Sequence, residues 1–235
     1  HTAFVVGLAA EARVLSQALG GHDPSFPQRI ACAAADADRA KAAADRLLGD
    51  GAAALISFGI AGGLDPALMP GDLVMAARVG LPDGRWIETA GAWREACTAR
   101  ANAAGLRTMG GNLVGSPRVV GSPRHKRRLH ESAGAVAVDM ESHAVALAAE
   151  AAGVPFLVIR AIADPAGRSL PSAVIGTIGP DGRERWGHAA ARLAIRPWQM
   201  FAALRLRQDA RAALSALSGL ARLLGPDLLG PPQGL

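Results

Sequence analysis

Short apolar runs that alternate with amphipathic helical stretches constrain the fold of this chain more than any other feature. The apolar runs cover residues 3–8, 30–34, 53–58, 73–79, 113–120, 136–138 and 156–162. The helical stretches cover residues 11–19, 38–48, 90–104, 124–132 and 141–152. Apolar runs that alternate with helices in this way predict an α/β fold with a mixed, largely parallel central sheet flanked by helices.

The length and the composition predict one ordered domain. The chain has 235 residues, of which 50% are hydrophobic, so a sizeable core is expected. We assign residues 1–166 to the α/β domain and residues 167–235 to a loop and a C-terminal helical extension packed on the same domain. Within this extension, Gly, Pro and polar residues between 167 and 185 predict a mobile loop, and two helices are expected to follow, interrupted at Pro197.

The net charge of +5 leaves several classes of partner open. Nucleic acid, an anionic membrane surface and a merely Arg-rich composition each explain such a bias. The chain has no tyrosine and no nucleic-acid-binding motif, so we expect no nucleic-acid partner. Residues 198–224 place apolar side chains at helical spacing opposite Arg205, Arg207 and Arg211. A non-enzymatic protein of the membrane surface and a helix that packs in a core or dimer both fit that pattern.

The cysteines and histidines indicate neither a disulfide framework nor a metal site. Cys32 and Cys97 lie far apart in the sequence, and no pair of histidines has the spacing of metal ligands. We therefore expect reduced thiols, no metal and no cofactor. No stretch is long enough to span a bilayer. These features predict a cytoplasmic protein, with the inner face of the membrane as a further location that the basic tail suggests.

A glycine-rich turn follows one of the buried strands. Residues 59–64 read GIAGGL, and glycines at such a turn let backbone N–H groups approach an anion or a sugar closely. The spacing differs from that of the dinucleotide-binding fingerprint. A tight turn without a ligand explains this segment equally well.

Acidic residues mark the ends of two other predicted strands. Asp139 and Glu141 lie at a strand-to-helix junction, where Asp139 is expected to cap the helix and Glu141 could accept hydrogen bonds from two sugar hydroxyls. Asp164 ends the most apolar strand and precedes Pro165. A turn-forming role would account for an Asp at this position before Pro165. It would not account for the pairing that we predict between Asp164 and Arg160 on the same strand.

These segments together resemble a known group of enzymes. Residues 57–72 (SFGIAGGLDPALMPGD), 138–142 (VDMES) and 160–164 (RAIAD) resemble, in order and spacing, the methylthioadenosine/adenosylhomocysteine nucleosidases and the nucleoside phosphorylases. The resemblance covers residues 3–166. Residues 7–13 (GLAAEAR), the VDMESH segment and the long tail are most similar to the hopanoid-associated phosphorylases, which remove adenine from adenosylhopane.

The resemblance implies roles for individual residues. Asp164 corresponds to the acid that protonates or hydrogen-bonds the departing purine, and Glu11 to the acid that handles the nucleophilic water. The substrate-binding residues that it implies are Met140, Glu141, Arg160, Ala61, Gly62 and Val120. Ala163 and Ile60 stand where relatives often have Ser, and Ser57 stands where some phosphorylases have a phosphate-binding Arg. The candidates for holding phosphate or water are Arg13, Arg118 and the backbone of Gly62.

The function expected from this resemblance is cleavage of the N-glycosidic bond of a 5′-modified adenosine with release of adenine, by attack of phosphate or water. Adenosylhopane is the expected substrate, which implies a part in hopanoid side-chain biosynthesis. The partners are then a small nucleoside and, for a phosphorylase, phosphate. Because the resembling enzymes associate, we also expect a homodimer or a higher homo-oligomer.

Overall fold

The computed structural model describes residues 1–20, 26–173, 175–179, 181–183, 187 and 195–228. It confirms the predicted α/β class, with eight strands in one mixed sheet. The strands are β1 (Thr2–Val6), β2 (Ile30–Cys32), β3 (Ala54–Gly63), β4 (Leu73–Gly80), β5 (Trp86–Glu88), β6 (Thr108–Gly115), β7 (Ala135–Asp139) and β8 (Phe156–Asp164). The helices are α1 (Ala9–Leu19), α2 (Ala37–Gly49), α3 (Gly91–Ala103), α4 (Pro123–Ala133), α5 (Ser142–Ala152) and α6 (Met200–Leu228).

The strands follow the order β2-β1-β3-β7-β6-β4-β5, and β8 pairs with both β3 and β4. Because β8 joins these two strands, β3, β7, β6, β4 and β8 close a ring. Near the end of β3, Gly62 is in register with Val138 of β7 and with Asp164 of β8. The ends of three strands that carry predicted site residues therefore meet at one point.

Two helical layers cover the sheet. On one side, α2 and α5 contribute small residues and Leu47 to a core with β1, β3 and β4. On the other, α1, α3 and α6 pack Leu15, Trp93 and Leu217 against the same sheet. Because both faces are covered, β1 and β8 are buried along their whole length, which explains their uninterrupted apolar runs.

Two sequence-based expectations differ from the structure. The strand expected over 113–120 is β6, Thr108–Gly115, because pairing with β4 recruits the glycine-rich residues before it. Val120 therefore lies in the following loop rather than in a strand. The strand β5 was not expected, since its three residues form only through an antiparallel pairing with β4. The tail has a 3₁₀ turn at Pro197–Gln199, where the interruption was expected, and continues as α6, which is kinked at Gly225. Most of the segment expected to hold the first of two helices lies outside the described residues.

Candidate active site

A cavity of about 470 Å³ opens where β3, β7 and β8 end. The predicted site residues that line it are Glu11, Arg13, Ala61, Gly62, Arg118, Val120, Met140, Glu141 and Asp164. Arg160 is fully buried and joins the site through its contacts with the carboxylates. The structure therefore brings residues from α1, β3, the loop after β6, the β7–α5 junction and β8 to one place.

Glu11 is held by backbone donors from two segments. Its Oε2 accepts hydrogen bonds from the N–H groups of Gly7 and Leu8, both at 2.8 Å, and its Oε1 accepts one from Ile60 at 2.8 Å. The side chain is almost fully buried. Burial raises the pKa of Glu11, while Arg160 and the three backbone donors oppose that rise. Its orientation is thus set by main-chain groups, as a base or water-orienting acid requires.

Arg160 is the centre of a buried polar cluster. Its Nη2 donates to Ser57 Oγ at 2.6 Å and to Ser142 Oγ at 3.1 Å, forms a salt bridge with Asp139, and lies 3.5 Å from Glu141 Oε2. Asp139 also accepts a hydrogen bond from the backbone N–H of Ser142 at the start of α5. The N-cap position of α5, expected for Asp139, is occupied by Glu141 instead. One guanidinium thereby organises the β7–α5 junction from which Glu141 reaches the cavity.

The predicted pairing of Asp164 with Arg160 is wrong. Regular alternation along β8 would place these two residues on the same face of the strand. However, Ala61 pairs with Ile162 and Gly62 pairs with Asp164, so β8 carries one extra residue, at Ala163. Such a bulge re-aims the side chains that follow it. Asp164 instead accepts a hydrogen bond from Lys126 Nζ at 2.5 Å, a partner that the sequence analysis missed. Lys126 lies in a run of basic residues, and nothing in that run distinguishes it.

Two glycines allow the acidic groups to approach the strands. A Cβ on Gly59 would lie 2.5 Å from Arg160 Nη1 and 2.6 Å from Glu11 Oε1. A Cβ on Gly7 would lie 2.7 Å from Glu141 Oε1. Any side chain at either position would therefore displace a buried charged group, which gives both glycines a structural reason. Gly59 lies within β3, because the strand continues to Gly63 instead of ending in the turn expected over residues 59–64.

The electrostatics of Glu141 differ from those of an ordinary surface carboxylate. Burial raises the pKa of Glu141 from 4.5 to about 8; Arg160 lowers it, whereas Asp139 and Glu11 raise it further. The protonated form of the Glu141 carboxyl group therefore persists to higher pH than that of an exposed carboxyl group. A protonated carboxyl can both donate to and accept from the hydroxyl groups of a sugar.

This pKa predicts a pH dependence of stability for the Glu141→Gln variant. A carboxyl whose pKa is raised in the folded state contributes stability that is full below pH 4.5 and is lost as the pH rises through about 8. Glutamine does not ionise, so the variant should gain stability relative to the wild type across this range. Urea unfolding at a series of pH values measures the difference. A difference that stays constant from pH 5 to 9 would contradict the shifted pKa.

The remainder of the cavity wall is largely apolar. Helix α6 contributes four apolar residues, and the loops after β6 and β8 contribute four more. These residues are Val119, Leu170, Ile175, Ile178, Ala203, Leu206, Ala210 and Leu214. Arg207 and Arg211 of α6 also line the cavity, whereas Arg205 lines a smaller adjoining pocket. The cavity thus has a charged end at the strand termini and an apolar wall formed by α6 and the adjoining loops.

Within the described ranges, no helix is both long enough and apolar enough to cross a membrane. The same part of the chain holds no group of three or more His, Cys, Asp and Glu side chains placed to bind a metal ion.

Residues 32–193 match the phosphorylase superfamily. The chain belongs to this superfamily and is an enzyme of the nucleoside phosphorylase and nucleosidase class. No curated protein matches it significantly.

Solved structures show the same fold. The 5′-methylthioadenosine/S-adenosylhomocysteine nucleosidase of Helicobacter pylori, solved with butyl-thio-DADMe-Immucillin-A, aligns with a TM-score of 0.64 at 18% identity, over 93% of this chain and 96% of that one. The nucleosidase of Neisseria meningitidis aligns with a TM-score of 0.66 at 18% identity, over 94% and 98%. The futalosine hydrolase of Helicobacter pylori aligns with a TM-score of 0.64 at 18% identity, over 93% and 96%.

Proposed function

We propose that this enzyme releases adenine from an adenosine whose 5′ position carries a large apolar group, with adenosylhopane as the substrate. The observation that carries the proposal is the composition of the cavity. Asp164, Glu141 and Glu11 gather at its charged end, while α6 and the adjoining loops line the rest with apolar side chains. A nucleoside with a greasy 5′ substituent matches both parts.

The chemistry follows from how charge develops during cleavage. As the bond between C1′ and N9 breaks, positive charge grows on the ribose and negative charge on the purine. Asp164, whose pKa burial raises, donates a proton or a hydrogen bond to the purine. Glu141 and Met140 hold the ribose.

Either water or phosphate serves as the nucleophile in this arrangement. Glu11, held by three backbone donors, is suited to orient and deprotonate water. Phosphate would bind to arginines that line the cavity. Arg13 and Arg118 are the candidates, because each follows the end of a strand within a few residues. The products distinguish the two, because water yields the free sugar and phosphate yields a sugar 1-phosphate.

The experiment uses a series of 5′-alkyl adenosines of increasing chain length, with and without phosphate, and chromatography of adenine and the sugar product. We expect kcat/KM to rise with the length of the alkyl group. Absence of adenine release from every member of the series would overturn the proposed reaction. Release that becomes slower with chain length would overturn the proposed substrate.

Leu206 provides a test of the apolar wall. Replacing Leu206 with serine removes an apolar side chain from the cavity wall. The lost burial is worth about 1.5–3 kcal/mol, so we expect kcat/KM for the long-chain substrate to fall by about 10–100-fold. Unsubstituted adenosine does not reach this wall and should be cleaved as before. Leu204→Ser is the matched control, because Leu204 lies on the same helix and its side chain is 52% exposed. Equal losses on both substrates would contradict a role in binding the 5′ group.

We further propose that the 3₁₀ turn at Pro197–Gln199 and the start of α6 contact an anionic lipid surface, from which an apolar nucleoside would be drawn. Trp198 and Phe201 are 73% and 71% exposed, and Arg205 lies over the Phe201 ring at 5.4 Å. Exposed aromatic side chains next to arginines are typical of helices that lie at membrane interfaces.

The Trp198→Gln/Phe201→Gln double variant should float less with vesicles that contain anionic lipid. It should also cleave a vesicle-bound substrate more slowly than the wild type does. Its rate with a water-soluble adenosine should equal that of the wild type. A switch from dimer to monomer in sedimentation, with vesicle binding unchanged, would instead assign this surface to a second copy of the chain. Homo-oligomerisation itself stays a prediction, and the same sedimentation of the wild-type protein checks it.

A further inference from the structure

The helix α4 buries a lysine where an apolar residue would be ordinary. It begins after Ser122, whose Oγ accepts a hydrogen bond from the N–H of His125, and Pro123 occupies its first turn. Within α4, Lys126 is the buried residue, with 0% of its surface exposed. Lysine is almost never fully buried unless it is paired. Its position therefore calls for an explanation that depends on its partners.

Within the described residues, the acceptors of the Lys126 ammonium group lie at the end of β8 or in the turn that follows. Its Nζ donates to Asp164 Oδ2 at 2.5 Å and lies 3.1 Å from the carbonyl oxygen of Asp164. The carbonyl oxygens of Pro165 and Arg168 lie 2.9 and 3.3 Å away. The Lys126 ammonium group thus contacts the side chain of the proposed acid and three backbone carbonyl groups of the segment that carries this acid.

Stability is a weak explanation for this pair. Removing two charges from water costs several kcal/mol, and replacing a buried ion pair by apolar residues is often neutral or stabilising. A methionine at position 126 has nearly the length of lysine and would pack at the same place on α4. The direct contact with Asp164, which lines the cavity, indicates a role in the site instead.

We propose that Lys126 is the positioning residue for Asp164, which it holds by Oδ2 so that the rest of the carboxyl group is presented to the purine. This inference rests on the proposed function, in which Asp164 is the acid. Within the described part of the chain, the hydrogen bonds of the Asp164 side chain use Oδ2, and Oδ1 is the oxygen left for a ligand. The bulge at Ala163 turns Asp164 towards α4, and Lys126 keeps it there.

The charge of Lys126 also adjusts the acid. Burial raises the pKa of Asp164, and Lys126 is the strongest influence that lowers it. Arg168, in the turn after β8, also lowers this pKa, whereas Asp209 of α6 raises it. A general acid works best with a pKa near the operating pH, because it must be protonated and still release its proton readily. Loss of Lys126 should therefore raise the pKa of Asp164 further and move the alkaline limb of the pH–rate profile to higher pH.

A double-mutant cycle between Lys126→Met and Asp164→Asn tests the proposal with the 5′-alkyl adenosine that the wild type cleaves fastest. We expect Lys126→Met to lower kcat by about 10–100-fold in the wild-type background, with KM changed less than about threefold. In the Asp164→Asn background it should cost less than about threefold, because the group through which Lys126 acts is already lost. Equal losses in both backgrounds, or an unmoved alkaline limb, would assign Lys126 a structural role and overturn the proposal.

Two further variants keep the cycle interpretable. Arg127→Met removes a cation from the exposed neighbour on α4 and should leave kcat and the pH profile unchanged. Lys126→Gln serves as the second variant if Lys126→Met does not fold, since its amide can donate a hydrogen bond but carries no charge. It should shift the alkaline limb as Lys126→Met does, and a wild-type profile would overturn the role of the charge.

A measurement without substrate separates this inference from the proposed function. Nitrogen-15 NMR of the protein should show one slowly exchanging lysine ammonium signal that disappears in Lys126→Met and moves in Asp164→Asn. Its absence from the wild type would overturn the pairing whatever the enzyme cleaves. If the signal is present but no adenosine is cleaved, the proposed function is wrong, and the catalytic role of Lys126 falls with it.

Discussion

Replacing Asp164 with asparagine is expected to lower turnover by about 10²–10⁴-fold while the chain keeps its fold. The amide has nearly the size of the carboxyl group but has no acidic proton to give to the departing purine. A loss of this size corresponds to about 3–5 kcal/mol of transition-state stabilisation. Asparagine can still accept a hydrogen bond from Lys126 through its carbonyl oxygen, so the end of β8 should stay in place.

Single-turnover rates of adenine release measure this effect directly, and thermal unfolding checks the fold. Asp45→Asn is a suitable control, because Asp45 lies on the exposed face of α2, paired with Lys41. A variant at position 164 that works within a factor of a few of the wild type would remove Asp164 from the role of the acid. The purine would then leave without being protonated, and the strength of the nucleophile would have to account for the rate.

Replacing Arg160 with methionine is expected to lower the free energy of unfolding by about 3–5 kcal/mol, since removing one partner of a buried ion pair leaves the other charge uncompensated. Asp139 and Glu141 contact this guanidinium, and Glu11 interacts with its charge. Arg160 is fully buried. Arg160 lowers the pKa of both Glu11 and Glu141. Without it, the pKa of each group rises, so the loss of stability should grow as the pH is raised and shrink in acid.

Urea unfolding at pH 5 and pH 8 tests both parts of this expectation. Arg46→Met, on the exposed end of α2, controls for the removal of an arginine. Arg160→Lys keeps one positive charge but lacks the planar guanidinium group. Its loss of unfolding free energy should lie between those of Arg46→Met and Arg160→Met. A loss below about 1 kcal/mol for Arg160→Met, or one that does not change with pH, would contradict the central position of Arg160 in the cluster.

Much of this enzyme could be predicted from local patterns in its sequence. Uninterrupted apolar runs such as β1 and β8 report strands covered on both faces, because a strand with one wet face would alternate. Carboxyl ends of strands are where such sheets place ligands, so Glu141 and Asp164 could be selected before any contact was known. The three motifs also identified the family, since each carries its information within a few consecutive residues.

The partners of these residues depended on the tertiary structure. The extra residue at Ala163 separates Asp164 from Arg160, although their spacing along the strand predicts a common face. Lys126 reaches Asp164 from a helix 38 positions earlier in the chain. A bulge and a contact between distant segments arise from pairing and packing across the molecule, and neither leaves a periodic trace in the sequence.

The shape of the cavity was likewise decided by packing. The sequence indicated an amphipathic C-terminal helix, but its apolar face fits a core, a dimer or a membrane equally well. In the fold, α6 packs Leu217 and Leu220 against the sheet and presents Leu206 and Leu214 to the cavity. Periodicity shows that a face will be buried, whereas the element that covers it, and the space left between them, depend on how the whole chain closes around its core.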